Sequence, residues 1–471
     1  MGKLVPVSLG TRSNPARYAQ GGSTRLINCY AEDAGGEAKV PWPVYTCDGL
    51  QGFAALPEAD GGVMASIEVD GALYTVCGTR VYKTIPNGTV TLLGSMNIDT
   101  SAPVYMARNR RATPDIGIVC GGLMFVIRDG VLTQVTDADL LSPTSLAFVN
   151  GYFVIGTANN TWQIGAIDDG LAWDALDYTR ADANPDDVVV VAGMQAQAVI
   201  FGEVSTEFWR DVGGADFPFE RVTSVDIGCL AAGSVQSVEQ TLAFVGHDRT
   251  VRMFGGYEAI RISTNAVERA IEDLADRSII TSCTWVKDGH TFYSISSPSW
   301  TWVFDTVTKL WHERQSYGSS KWKVATVTAF DGKLIAGDAT EGKLYEMSAD
   351  FFDESGDPLV SEIVLPPVHQ FPNRFIINTA YIDAQVGVGT GVGAVQDIDP
   401  ELMLSWSHDG GETFAGERRI NLGQMGKNIT RLKEHRLGMC GQNGVVFKIS
   451  CSAKVRRALY GLTLDIDQVA A

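Results

Sequence analysis

Asp288-Gly-His-Thr-Phe-Tyr-Ser-Ile-Ser-Ser-Pro-Ser-Trp-Thr-Trp-Val-Phe304 carries the pattern that decides the fold: a tight turn, an apolar run, a polar break and a short strand bearing large aromatics. Asp-Gly and Asn-Gly tolerate positive φ, so such turns match the twist of the strands they join and predict hairpins. The unit recurs. Turns at Asp70-Gly71, Gly121-Gly122, Asn150-Gly151, Met194-Gln195, His247-Asp248, Asp288-Gly289 and Asp331-Gly332 follow one another every 43.5 residues on average, with steps from 29 to 53. A tandem array of that period predicts an all-β chain whose main body is a β-propeller of four-stranded blades. One slot is refilled in each unit, as in Thr79-Arg-Val-Tyr82, Thr161-Trp-Gln-Ile164, Thr206-Glu-Phe-Trp209, Thr250-Val-Arg-Met-Phe254, Thr301-Trp-Val-Phe304 and Lys343-Leu-Tyr345. Bulky side chains repeated at one position are expected to pack between neighbouring blades.

Around this array the chain is 471 residues long, 45% hydrophobic and 20% charged, with fifty glycines to serve its turns. No run approaches eighteen apolar residues, and Met1-Gly-Lys-Leu-Val-Pro6 lacks the apolar segment of a secretory signal, so synthesis in a cytoplasm is expected. Eight scattered cysteines without a Cys-x-x-Cys read as reduced, buried thiols. A net charge of −18 argues against a chain that grips nucleic acid over its whole surface. The charge is uneven: residues 401–471 hold 10 basic and 7 acidic side chains, residues 1–400 hold 27 and 48. Such polarity suits docking between unlike surfaces.

Three regions follow. Residues 1–55 lack periodicity and read as an extended N-terminal arm that packs on the C-terminal β domain or on a neighbour. Residues 56–348 hold the propeller, interrupted by a helix over 265–276 with Asn265 as its cap and Glu268 as the reciprocal partner. Residues 349–471, set off by Pro358, Pro366-Pro367 and Pro372, form a separate β domain. Within it, Gly387 to Gly393 reads as a mobile hairpin tip.

Motifs that could carry chemistry fail on context. Gly389-Thr-Gly-Val-Gly-Ala394 has the letters of a dinucleotide fingerprint, but the reading places no helix after it. Gly337-Asp-Ala-Thr-Glu-Gly-Lys-Leu344 ends on leucine where a phosphate loop needs a hydroxyl. Asp182-Ala-Asn-Pro-Asp-Asp187 alternates oxygen ligands as a calcium loop does, yet its twelfth position is Gly193. Ser407-His-Asp-Gly-Gly-Glu-Thr-Phe414 resembles the Asp-box of sialidases, a folded hairpin turn, in a single copy outside the propeller. The six histidines lack metal spacing, and His290 and His312 are expected at surfaces or hairpin edges; Asp168-Asp169 and Asp186-Asp187 are expected in turns. Arg108, Arg110 and Arg111, Arg418-Arg419, and Lys454, Arg456 and Arg457 read as solvated or docking bases. The expectation is therefore no catalytic residue, no cofactor, no metal and no small-molecule substrate.

Several segments together resemble one family, the packaged-DNA stabilisation or tail nozzle proteins of short-tailed bacteriophages. They are Arg25-Leu-Ile-Asn-Cys-Tyr-Ala-Glu32; Thr206-Glu-Phe-Trp209 with Phe219-Glu-Arg221 and Gly228; Gly289-His-Thr-Phe-Tyr293 with Trp302-Val-Phe-Asp305 and Trp311-His-Glu313; and, in the last region, Ser407-His-Asp-Gly-Gly411, Arg436-Leu-Gly438 and Val445-Val-Phe-Lys-Ile-Ser450. The resemblance implies a virion protein of the tail, not an enzyme: a homo-hexameric ring below the head-to-tail adaptor, next to tail fibre, tailspike or needle proteins, enclosing a channel for double-stranded DNA without reading its sequence. It implies six blades, with seven as the alternative from the turn count. The Gly387–Gly393 tip, or neighbouring acidic loops, is expected to line the lumen, and Arg418, Arg419, Arg456 and Arg457 to face the adaptor. A competing reading is a receptor- or glycan-binding propeller on the tail surface; a sialidase or other glycosidase would need carboxylates and arginines converging on the propeller axis.

Overall fold

Four-stranded antiparallel sheets follow one another along the chain, six built from strands adjacent in sequence and a seventh completed by a distant strand, and these seven close into a ring. The computed structural model describes residues 2–214 and 217–469. Blades one to six span 63–95, 105–134, 143–180, 188–225, 236–261 and 281–313. Blade seven has only three strands of its own, at 324–348. Its fourth is Gly49–Ala55, which runs antiparallel to Lys343–Ser348. Residues 49–55, placed in the arm by the sequence reading, thus complete the propeller. Seven buried apolar clusters sit one at each interface between successive blades, including blade seven against blade one. The propeller therefore has seven blades, the number of units counted, rather than the six that the resemblance implies.

The uneven steps have a simple cause. Asp70-Gly71, Asn150-Gly151, Asp288-Gly289 and Asp331-Gly332 join first to second strands, and so does Gln195-Ala196, one residue beyond the predicted centre. Gly121-Gly122 and His247-Asp248 instead join second to third strands, and the first hairpin of blade five turns at Glu239-Gln240. In the first hairpins of blades one, three, four, six and seven both central residues are left-handed, as with Asp70 at φ 50° and Gly71 at 73°, as this turn requires. The refilled slot is the third strand in every case, and Tyr82, Trp162, Phe208, Phe254, Phe304 and Tyr345 are buried there.

The helix Asn265–Glu272 joins blades five and six and buries Ala266, Val267 and Ile271. Asn265 does not cap it. Thr264 occupies the cap position without a side-chain bond, while the Glu268 carboxylate accepts from Ser263 Oγ at 2.6 Å and pairs with Arg261.

Beyond the propeller two sheets face each other. One orders Cys29–Ala31, Val44–Thr46, Ala458–Val469, Arg374–Ala384 and Leu432–Cys440, with Lys3–Val7 also on Ala458–Val469. The other orders Arg25–Ile27, Ser361–Val364, Val446–Cys451, Glu401–Ser407 and Ala415–Asn421, and it continues outward from Leu310–Glu313, the outer strand of blade six. Leu26, Phe375, Leu404, Phe447 and Leu464 lie in the core between them.

Candidate functional site

Where blades six and seven meet the sandwich, polar groups are buried that neither unit could satisfy alone. Arg314, 2% exposed, follows the outer strand of blade six; its guanidinium lies 4.2 Å over the Trp322 ring and donates to the Asp48 carbonyl at 3.0 Å. Glu354 accepts from Trp322 Nε1 at 3.0 Å and lies 3.8 Å from Arg314. Lys287 pairs with Asp48, and Arg25 pairs with Glu313 through two hydrogen bonds. Asn28 clamps the same seam, donating to the carbonyls of Gln315 and Val360 at 2.8 Å and accepting from Gln315 N–H. Buried charges removed from their partners are costly, so this junction locks the arm, both blades and the sandwich in one arrangement. Burial, then the charge of Arg314, pushes His312 down to about 3, so it stays neutral; burial pushes the Cys47 thiol up to about 11.

His290 and His312, expected near surfaces, are both buried, because the arm lays Tyr30 over them; His290 Nδ1 bonds Asp305 at 2.8 Å. All eight cysteines are buried and unpaired. Asp182 pairs with Arg221, and Asp186 accepts from Val204 N–H, Ser205 N–H and Ser205 Oγ, so this segment staples a turn. Asp169 pairs with Arg128, and Arg111 pairs with Asp115. Burial opposes the charged form of Asp115, but hydrogen bonds from Arg128 and Gly170 N–H hold its carboxyl below the usual range. Among the described residues no group of three or more His, Cys, Asp or Glu side chains could hold a metal ion, and no helix is long and apolar enough to cross a membrane.

Gly337–Leu344 is the hairpin between Lys333–Asp338 and Lys343–Ser348, with the Asp338 carboxylate accepting from Thr340 and Glu341 N–H. The Gly389–Ala394 segment is followed by a helical turn, Val395–Ile398, where the sequence reading has none. It is no free hairpin tip either. Gly387 and Gly389 N–H donate to the Leu422 and Gly423 carbonyls, and a Cβ on Gly389 would meet the Ile398 carbonyl at 2.2 Å, so the start of the segment is packed against the chain at 422–423 and 398. Asp409 accepts from Ser407, Glu412 and Thr413, the hydrogen bonds of Ser407 and Thr413 leading those that hold it low, and Lys448 stands 4.8 Å over the Phe414 ring. Arg457, grouped with surface bases by sequence, is buried and donates to the Leu359 and Cys451 carbonyls; Arg418, Arg419 and Arg456 are exposed. The junction itself was not foreseen, since its members come from distant parts of the chain, as in the bond from Asn28 to Val360, 332 residues apart.

What the arrangement offers is shape and charge: a propeller and a sandwich fixed to each other, with acidic and basic side chains spent on turns, seams and surfaces. Two family models match the chain, one described as bacteriophage P22 Gp10, beta-propeller, over residues 43–351, and one as bacteriophage P22 Gp10, beta-sandwich, over residues 362–467. No curated protein matches. Among solved structures the chain is similar to the extracellular domain of the putative hybrid two-component system BT4673 from B. thetaiotaomicron, at 8% identity over 64% of this chain and 39% of that one, TM-score 0.44. It is similar also to the Neurospora crassa Pan2 WD40 domain (9%, 64% and 95%, TM-score 0.42) and to the WD40 beta propeller domain of Doa1 (11%, 64% and 97%, TM-score 0.41).

Proposed function

The chain belongs to the bacteriophage P22 Gp10 family, as a structural protein of the virion that stabilises packaged DNA, and from that premise we propose that it forms the tail nozzle. In this reading about six copies make a closed ring below the head-to-tail adaptor, with fibre, tailspike or needle proteins as neighbours. The observation that carries it is the pair of family matches, propeller then sandwich, on one chain whose two parts share a sheet and a buried ionic junction. The shared sheet and the buried junction hold the two parts to each other, so the placement of one in a ring fixes that of the other. Its net charge of −18 supports passage rather than grip, because an acidic wall repels phosphates and leaves DNA free to slide. The reading assigns no substrate and no catalytic residue.

The test is the mass of the full chain by light scattering, alone and mixed with the adaptor ring of the same phage. A ring of about six copies, formed alone or on the adaptor, is the expected result. A monomer that ignores the adaptor overturns the nozzle reading and favours a receptor-binding propeller on the tail surface.

A further inference from the structure

The protomer has two ends, and they differ in charge. The sandwich grows from the rim of blades six and seven; in a ring of seven, blade three is three blades away in either direction, so its outer strand Trp173–Arg180 lies at the opposite rim. At the other end, Ala415–Asn421 and Leu432–Cys440 are the last strands of the two sandwich sheets and lie against each other. Ala415–Asn421 is four strands beyond Arg25–Ile27, or about 20 Å at the usual spacing.

Both ends expose apolar side chains inside a charged field. Leu176 is 80% exposed on the outer strand of blade three, and Tyr178 of the same strand is exposed too. Residues 166–187 hold seven carboxylates against one base of their own, Arg180; Asp169 and Asp182 are paired with Arg128 and Arg221, whereas Asp174 and Asp177 on the outer strand form no ion pair among the described residues. Partial burial, and after it the charge of Asp174, push the Asp177 carboxyl up. On the sandwich, Ile429 is 99% exposed; Met425, four residues before it, is exposed as well, and so are Val392 and Val395. Residues 418–436 hold six bases against one carboxylate, Glu434. Arg418 lies 3.6 Å from Glu434 and Arg419 lies 3.8 Å from Glu401 and Glu417, whereas Lys427, Arg431, Lys433 and Arg436 have no ion pair among the described residues.

We propose that the basic, apolar-tipped end of the sandwich docks on the acidic rim of blade three of a second copy of this chain. The proposal rests on the ring reading above and says which two surfaces meet. Charge and a bulge at Arg436 (φ 60°) also guard an unpaired strand edge, but edge protection does not call for the exposed Met425 and Ile429 beside them. A contact of either end with its own copy would oppose like charges, so the pairing is head to tail, the geometry that propagates into a ring.

Sedimentation velocity of the full chain tests this with K427E/R431E, with D174K/D177K, and with all four substitutions in one chain. Each pair alone is expected to weaken self-association by at least about tenfold, and the fourfold variant, whose charges are exchanged, to recover it. Recovery also shows that the substituted chain folds. Raising salt is expected to weaken the wild type. If the paired variants assemble like the wild type, or the fourfold variant does not recover, this contact is wrong while the ring stands. If the wild type never self-associates, with or without the adaptor, both fall.

Discussion

The propeller and the sandwich are closed by opposite means. Six blades are made wholly of neighbouring strands, and one distant strand, Gly49–Ala55, seals the seventh. The sandwich takes strands from both chain ends: Lys3–Val7 and Val44–Thr46 pair with Ala458–Val469, and Arg25–Ile27 pairs with Ser361–Val364. A local array can form blade by blade, whereas the sandwich must wait for the whole chain, because long loops close at an entropic cost before any contact repays it. The lesson is that the first 55 residues are not an appendage. They finish both units.

The truncation series probes this difference most severely. Removing residues 2–46 is expected to abolish the sandwich yet leave a protease-resistant propeller; extending the cut to residue 55 strips Leu50, fully buried, and its strand from blade seven and should lose that fragment too. Each cut takes whole strands from a unit whose net stability is of the order of a typical domain's roughly 5–15 kcal/mol. Survival of the propeller after the longer cut would show that three strands suffice in blade seven.

Next in size is Trp162→Ala. This side chain is fully buried between blades three and four, edge-on to Trp209 and Phe219, and its loss should cost about 3–5 kcal/mol in urea unfolding. At the junction, Glu354→Gln should cost about 3 kcal/mol, since Arg314 stays buried without its counter-charge although the amide oxygen can still accept from Trp322. The comparison sharpens if Trp162→Ala loosens hydrogen exchange mainly in blades three and four, while Glu354→Gln loosens the sandwich and blades six and seven together.

These two positions also show what the sequence could and could not tell. Trp162 sits in a slot that repeats, so its burial was legible from Thr161-Trp-Gln-Ile164 beside its counterparts. Two turns, Gly121-Gly122 and His247-Asp248, were assigned to the wrong hairpin because second-to-third turns use the same residue types as first turns. Arg314, Trp322 and Glu354 carry no shared pattern; only the fold brings them to Asp48. Arg457 looked like a surface base because Lys454 and Arg456 flank it, yet Ala458–Val469 turns it inward. The opposite charges of the two ends were partly legible, since the basic excess after residue 400 is local in sequence.

Smaller effects come with pH. His312 is held neutral at about 3 when folded but titrates near about 6.5 when unfolded, so the unfolded chain takes up a proton first. Stability is full above that unfolded value and falls as pH drops toward 3, by up to about 1.4 kcal/mol per pH unit. His312→Phe should flatten this limb in unfolding experiments at pH 7, 6 and 5; an unchanged slope would assign it elsewhere. Smallest of all, Asp409→Asn should remove a stabilisation that is present above about pH 4 and lost as pH falls through the lowered folded value, detectable as loss of acid dependence in the hairpin's amide protection.

The most direct measurement is a reconstruction by electron cryomicroscopy of the chain assembled on the adaptor ring. The account predicts a closed ring of about six copies around an open channel, with the sandwich tip of each copy against blade three of the next. Separate copies projecting from the tail surface, with no shared channel, would contradict it.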